Sequence, residues 1–183
     1  MSETNQPNWK RHFSNQELET CRKIKAKIIE KQKTKAGITT DEILQLMSQS
    51  HHFIGCFAED EVNSLVITSF PSYMVVNTDG SNLPGSHWIG LMIGRNNVEI
   101  FDSAGFNLFH LQRIPCNLLS FIHRVSQSRN LVISHQLQPQ SSTLCGFYAL
   151  FFIICRQHFS FSEILSYFTD NLTKNDRRLI KFF

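Results

Sequence analysis

The segment GFYALFFIIC, Gly146 to Cys155, constrains this chain more than any other: it holds no charge and no proline. It falls far short of the ~20 apolar residues that a membrane span requires. It reads instead as part of a strongly apolar helix from Cys145 to His158. The preceding HQLQPQSST, from His135, is polar and turn-prone, so the helix start is sharply marked. Cys145 stands at that boundary. A structural thiol would suit the middle of the run equally well. A reactive thiol suits the first turn better, because N–H groups at a helix N-terminus favour negative charge and depress a thiol pKa. Gly146 leaves room beside the thiol for another backbone to approach.

The chain has 183 residues, 42% hydrophobic and 18% charged, which fits one domain with a substantial core and an N-terminal arm. Sixteen Phe predict a bulky aromatic interior. The start, MSETNQPNWKRHF, is polar and does not read as a secretion signal. Five cysteines (21, 56, 116, 145, 155) are odd in number and form no C-x-x-C pair, so free thiols in a reducing compartment are expected rather than secretion. The Cys and His positions have no spacing typical of a zinc site, so no metal is expected. The net charge of +3 is uneven: residues 1–36 carry nine Lys/Arg against four Asp/Glu, a net of +5, and the remainder carries −2.

The chain divides into a basic arm or helix, residues 1–37, and a larger domain, 38–183. Residues 1 to about 14 read as irregular, and a helix runs from about Asn15 to near Gly37. Its Arg22, Lys23, Lys25, Lys27, Lys31, Lys33 and Lys35 read either as a solvated face or as a contact for DNA. Thr39 and Glu42 make a capping box for a second helix. SLVITSF, SYMVVNT, HWIGLMIG, NVEIFDS and NLVISHQL read as strands, and helices are expected over Asn117–Val125, Ser160–Phe168 and Lys174–Phe183. The layout is α+β, a central mixed sheet flanked by helices.

Arg95-Asn96 reads as a hairpin turn. If Gly94 pairs with Asn97, His87 falls opposite Ala104 and Asp102 lies on the same face two residues away. A base and its orienting carboxylate then share the open end of one hairpin. His87 would take the proton of Cys145, and Asp102 would hold the imidazole tautomer. Acyl transfer also needs donors for an oxyanion. The Cys145 N–H is one, and Gln138 or Gln140 offers a second. Each part alone also has a structural reading, in packing or in a turn. Their joint order and spacing point to a thiol protease.

At these residues the chain resembles adenovirus-type maturation cysteine proteases, including relatives from virophages and Maverick/Polinton elements. GSHWIGLMIGRNNVEIFDSAG and QPQSSTLCGFYALFF are similar to that family's active-site blocks. His87-Trp88 opens a strand, Asp102 follows fifteen residues later, and Gln138 stands seven residues before Cys145. FIGCF, from Phe53, is similar to the family's Phe-x-Gly segment. The resemblance covers about residues 40–158. It implies a papain-like, adenain-like fold with the nucleophile at a helix N-terminus. It implies Cys145 as nucleophile, His87 as base, Asp102 as orienter and Gln138 as oxyanion donor. It further implies a monomer that cleaves viral capsid and core precursors, in the virion or a host virus factory or nucleus, with stimulation by DNA and no obligatory cofactor. Gln127 stands where the adenovirus enzymes carry a cofactor-pairing cysteine, so a disulfide-linked peptide cofactor is not expected. Two other readings compete. Asp102-Ser103 resembles the Asp-Ser of SUMO-deconjugating proteases, but those place Gln one residue nearer the Cys, where this chain has Pro139. A non-enzymatic DNA-binding packaging protein would instead act through the arm.

Overall fold

The computed structural model describes residues 8–105 and 115–183; the first seven residues of the N-terminal segment, and His110, lie outside the described residues. A short 3-10 turn, Trp9–His12, leads into α1, Asn15–Thr34. Ser14 accepts from the Glu17 N–H while the Glu17 carboxylate accepts from the Ser14 N–H, so the capping box fixes where α1 begins. Cys21, Ile24 and Ile28 recur at helical spacing and are buried, so α1 lays one apolar stripe on the core. The helix ends at Lys35, which takes a left-handed conformation with φ of 54°. Helix α2, Thr40–Met47, starts at the expected Thr39–Glu42 capping box.

Five strands follow: β1 Phe53–Ala58, β2 Ser72–Asn77, β3 Trp88–Ile93, β4 Asn97–Phe101 and β5 Asn130–Ile133. They form one mixed sheet in the order β1-β2-β3-β4-β5. The outer pairs, β1/β2 and β4/β5, are parallel, and the inner pairs β2/β3 and β3/β4 are antiparallel. The β3/β4 hairpin has the register expected from its turn: Gly90 faces Phe101, and the Gly94 N–H donates to Asn97 O at 2.8 Å. One strand expectation fails. SLVITSF is not a strand. Leu65, Ile67 and Phe70 are half-buried against the core, but Thr68 and Ser69 are both exposed between Ile67 and Phe70, so a period of two does not run through the segment. The place beside β2 is taken by β1, and Arg124 caps the segment by donating to the carbonyls of Asn63 and Leu65. Strand β1 itself escapes a periodicity reading because it carries an irregularity between Phe53 and Gly55, where Gly55 has φ of 144°.

The sheet is covered on both faces. Helix α3, Cys116–Ser126, packs Leu118, Phe121, Ile122 and Val125 on Met74, Val76, Ile89, Leu91, Val98 and Ile100. Helix α4, Cys145–Arg156, covers the other face, and every residue from Cys145 to Cys155 is buried. An apolar helix with no solvent face must be enclosed on all sides. Here β2 and β3 lie beneath α4, while α1, α5 (Phe161–Ser166) and α6 (Leu172–Phe182) surround it. Gly90 permits the close seating of α4 on β3, since a Cβ there would lie 2.8 Å from the Phe152 ring. Phe151 is ringed by Phe182, Tyr167 and Phe168 at 4.7, 5.2 and 5.2 Å between centroids. Trp9 stacks on Phe159 at 4.4 Å, which draws the N-terminal segment into the same cluster. The fold is the expected α+β class, and α4 presents its first residue at the end of the sheet where β3 begins and β4 ends.

Candidate active site

His87 immediately precedes β3, held where the Thr78 N–H donates to the His87 carbonyl at 2.9 Å. Asp102 immediately follows β4. The hairpin register brings them together, and His87 Nε2 lies 2.6 Å from Asp102 Oδ1. The carboxylate is fixed independently of the imidazole. Its Oδ1 also accepts from the Ala104 N–H at 2.8 Å, and the Asp102 N–H donates to Ser134 Oγ at 2.8 Å. With Nε2 engaged, Nδ1 is the ring atom left for Cys145, which shares the cleft and lies near enough to the imidazole to affect its titration. Burial pulls the His87 pKa down, but the hydrogen bond to Asp102, then the proximity of Cys145, and both negative charges outweigh it and raise it to about 10. The imidazolium is therefore the favoured form at neutral pH.

Cys145 is the first residue of α4, and only 8% of it is exposed. Ser142 Oγ accepts from the Leu144 N–H, so the N–H groups of the next turn are not covered by a side-chain cap. Gly146 is required by close approach. A Cβ there would stand 2.2 Å from Ile38 Cγ2 and 3.0 Å from Trp88 Cδ1, so side chains rather than another backbone fill the space. Trp88 is itself anchored, its Nε1 donating to Ile38 O at 3.0 Å.

Gln138 is buried, whereas Gln140 is exposed, which separates the two candidate amides. Gln138 Oε1 accepts from Ser103 Oγ at 2.7 Å, and its main-chain N–H donates to Ser103 O at 2.8 Å. His87, Asp102, Gln138, Trp88 and Cys145 all line one cleft of about 1060 Å³, together with Ile38 and Thr39 from the start of α2. His51 and His52 do not line it; their rings lie against each other, tilted, at 4.0 Å between centroids.

Among the other thiols, burial pushes Cys21 up to about 11, Cys56 to about 12 and Cys155 well above its usual range. Such thiols are inert at neutral pH. Cys116 is exposed. None of the seven basic residues of α1 and its cap lines the cleft. Arg22 pairs with Glu19 at 3.0 Å, Lys27 with Glu30 at 2.7 Å and Glu42 at 3.3 Å, and Lys31 with Glu42 at 2.9 Å. Lys23, Lys25, Lys33 and Lys35 are exposed.

Three supports escape a sequence reading. Ser134 holds Asp102 from 32 residues away. Asn175, fully buried, donates to Leu137 O at 2.9 Å and so braces the Gln138 loop from α6. Ser103 had a local signal, since it adjoins Asp102, but its partner lies 35 residues on.

A sequence profile described as adenovirus endoprotease matches residues 53–181. A cysteine protease of African swine fever virus, Tick/Malawi isolate, is 32% identical over 102 residues, which is 50% of this chain and 36% of that protein. A SUMO-1 cysteine protease of the Warthog/Namibia isolate is 31% identical with the same coverage. The chain thus spans about a third of the length of these curated relatives, 36%. The crystal structure of an African swine fever virus protease superposes with a TM-score of 0.52 at 22% identity, over 80% of this chain and 66% of that one, a likeness of fold. With the profile covering most of its length, the chain belongs to the adenovirus endoprotease family of cysteine proteases.

Proposed function

We propose that this chain is a cysteine endopeptidase acting through Cys145, His87, Asp102 and Gln138. The observation that carries the reading is the placement of His87 between a fixed carboxylate, 2.6 Å away, and a thiol on the first turn of α4. His87 takes the thiol proton, giving a thiolate–imidazolium pair. The thiolate attacks the scissile carbonyl carbon, and the carbonyl electron pair moves to oxygen. The Cys145 N–H and the Gln138 amide then donate to that oxyanion. Collapse expels the amine, which His87 protonates. Water, deprotonated by His87, hydrolyses the thioester and restores the thiol. Limiting iodoacetamide between pH 5 and 9 tests this. Cys145 is expected to alkylate faster than exposed Cys116 well below pH 8, and His87→Ala is expected to slow it. Equal rates for Cys145 and Cys116 in both proteins would overturn the reading.

The substrates we propose are viral capsid and core precursor polypeptides. Gln138 standing seven residues before Cys145 supports this branch. A second reading, removal of a ubiquitin-like modifier, is favoured by the name of the SUMO-1 cysteine protease relative and by Asp102-Ser103. Side-by-side digestion of precursor polypeptides and SUMO-1 conjugates separates them. For DNA, the proposed contact is the exposed set Lys23, Lys25, Lys33 and Lys35. Neutralising these four is expected to weaken DNA binding and to flatten its salt dependence. An unchanged salt slope excludes the contact.

A further inference from the structure

Gln138 can assist an oxyanion only if its amide nitrogen, not its oxygen, faces the cleft. A carbonyl oxygen there would repel the developing charge. An amide side chain turns easily between these two orientations, so something must select one. Ser103 meets that need. It is 1% exposed, it follows Asp102 directly, and its Oγ donates to Gln138 Oε1 at 2.7 Å. Its carbonyl also accepts from the N–H groups of Leu137 and Gln138, both at 2.8 Å. The backbone bonds fix where Gln138 sits, and the hydroxyl fixes which way its amide points.

Building on the thiol endopeptidase reading, we infer that Ser103 is a positioning residue that orients the Gln138 amide toward the oxyanion. The Asp102-Ser103 dipeptide then sets two catalytic groups at once. Asp102 holds the base and Ser103 holds the oxyanion donor. The two act at different stages, and this makes them separable. Asp102 and His87 prepare the thiolate. Ser103 and Gln138 matter only once a carbonyl has become tetrahedral.

Two probes distinguish those stages. Iodoacetamide is attacked at a saturated carbon, so the Sγ–C bond forms as iodide leaves and no oxyanion appears. A peptide aldehyde adds the thiol across its carbonyl, forming an Sγ–C bond and leaving a tetrahedral oxygen that needs donors. In Ser103→Ala, alkylation of Cys145 is expected to keep the wild-type rate and pH profile. Aldehyde affinity and kcat are expected to fall about 10- to 100-fold with KM little changed, below the loss of roughly 100- to 1,000-fold seen when an oxyanion donor is removed outright. Adding Ser103→Ala to Gln138→Ala is expected to cost nothing more, because the hydroxyl acts only through that amide. Ser103→Thr, which keeps the hydroxyl, is expected to restore aldehyde affinity. Wild-type aldehyde affinity in Ser103→Ala, or full additivity of the two substitutions, overturns the inference. Slow alkylation in the wild-type protein would instead overturn the protease reading beneath it.

Discussion

At the residue scale, His87 shows how the site is balanced. Its pKa rises from the usual 6.5 to about 10, because Asp102 and Cys145 together outweigh burial. A folded-state pKa above the unfolded one means that protonated His87 adds stability fully below pH about 6.5, and that this contribution is lost as pH climbs through about 10. Thermal unfolding of wild type and Asp102→Asn is therefore expected to differ most at the acid side of that window and to converge toward its upper end. Gly146 is the other residue whose identity is forced. Gly146→Ala sets a Cβ against Ile38 and Trp88, and neither can yield freely, since Ile38 is in the core and Trp88 is tied to Ile38 O. Overpacking of this kind costs roughly 1–3 kcal/mol, checked by denaturant unfolding, and it is expected to disturb the cleft wall beside the thiol.

At the element scale, α1 is joined to the cleft through α2. Glu42 closes the Thr39 capping box and also receives Lys27 and Lys31 from α1. Burial alone would raise its carboxyl, but the bonds from Lys31, the Thr39 N–H and Lys27 hold it down at about 2. A depressed carboxylate contributes stability above its unfolded pKa of 4.5 and loses it as pH falls toward 2. Glu42→Gln is expected to lower stability by about 1 kcal/mol at neutral pH, the scale of a partly exposed pair plus a weakened cap. The mutant and wild type are expected to converge as pH falls below 4, measured by urea midpoints. In the sequence the two basic residues that face Glu42 read either as part of a solvated face or as DNA contacts. Periodicity shows that they share a helix with the other lysines, but not that an acid from the next helix waits opposite them.

At the scale of the whole molecule, the termini close over α4. Trp9, Phe13, Cys21, Ile24 and Ile28 belong to the same buried cluster as Phe151, Tyr167, Phe182 and Phe183. Lys10 Nζ donates to Phe183 O at 3.3 Å and lies 5.4 Å above the Phe182 ring. Removing residues 1–37 would therefore uncover the side of α4 that α1 covers. The 38–183 fragment is expected to lose cooperative unfolding and to bind a hydrophobic dye, with the full chain as control. A fragment that unfolds as sharply as the full chain would show that α1 is dispensable for the core. No helix among the described residues is long and apolar enough to cross a membrane, so the apolar run is satisfied by enclosure.

What the sequence by itself determined is local or nearly so. Capping boxes at Ser14 and Thr39, the apolar helix opened by Cys145, and the hairpin that brings His87 to Asp102 all rest on neighbours within a few turns or on one tight turn. Side-chain alternation and hairpin register need no knowledge of the rest of the chain. What only the tertiary structure decided involves partners far apart in sequence. Strand β1 pairs in parallel with β2, whereas SLVITSF, β-branched and aromatic enough to read as a strand, only packs Leu65, Ile67 and Phe70 against the core. The pairing of Lys27 and Lys31 with Glu42, the brace from Asn175 and the Ser103 bond to Gln138 depend on how separate elements pack. A sequence can place an amide seven residues before a thiol, but which end of that amide faces the cleft is fixed by a hydroxyl that the fold brings to it.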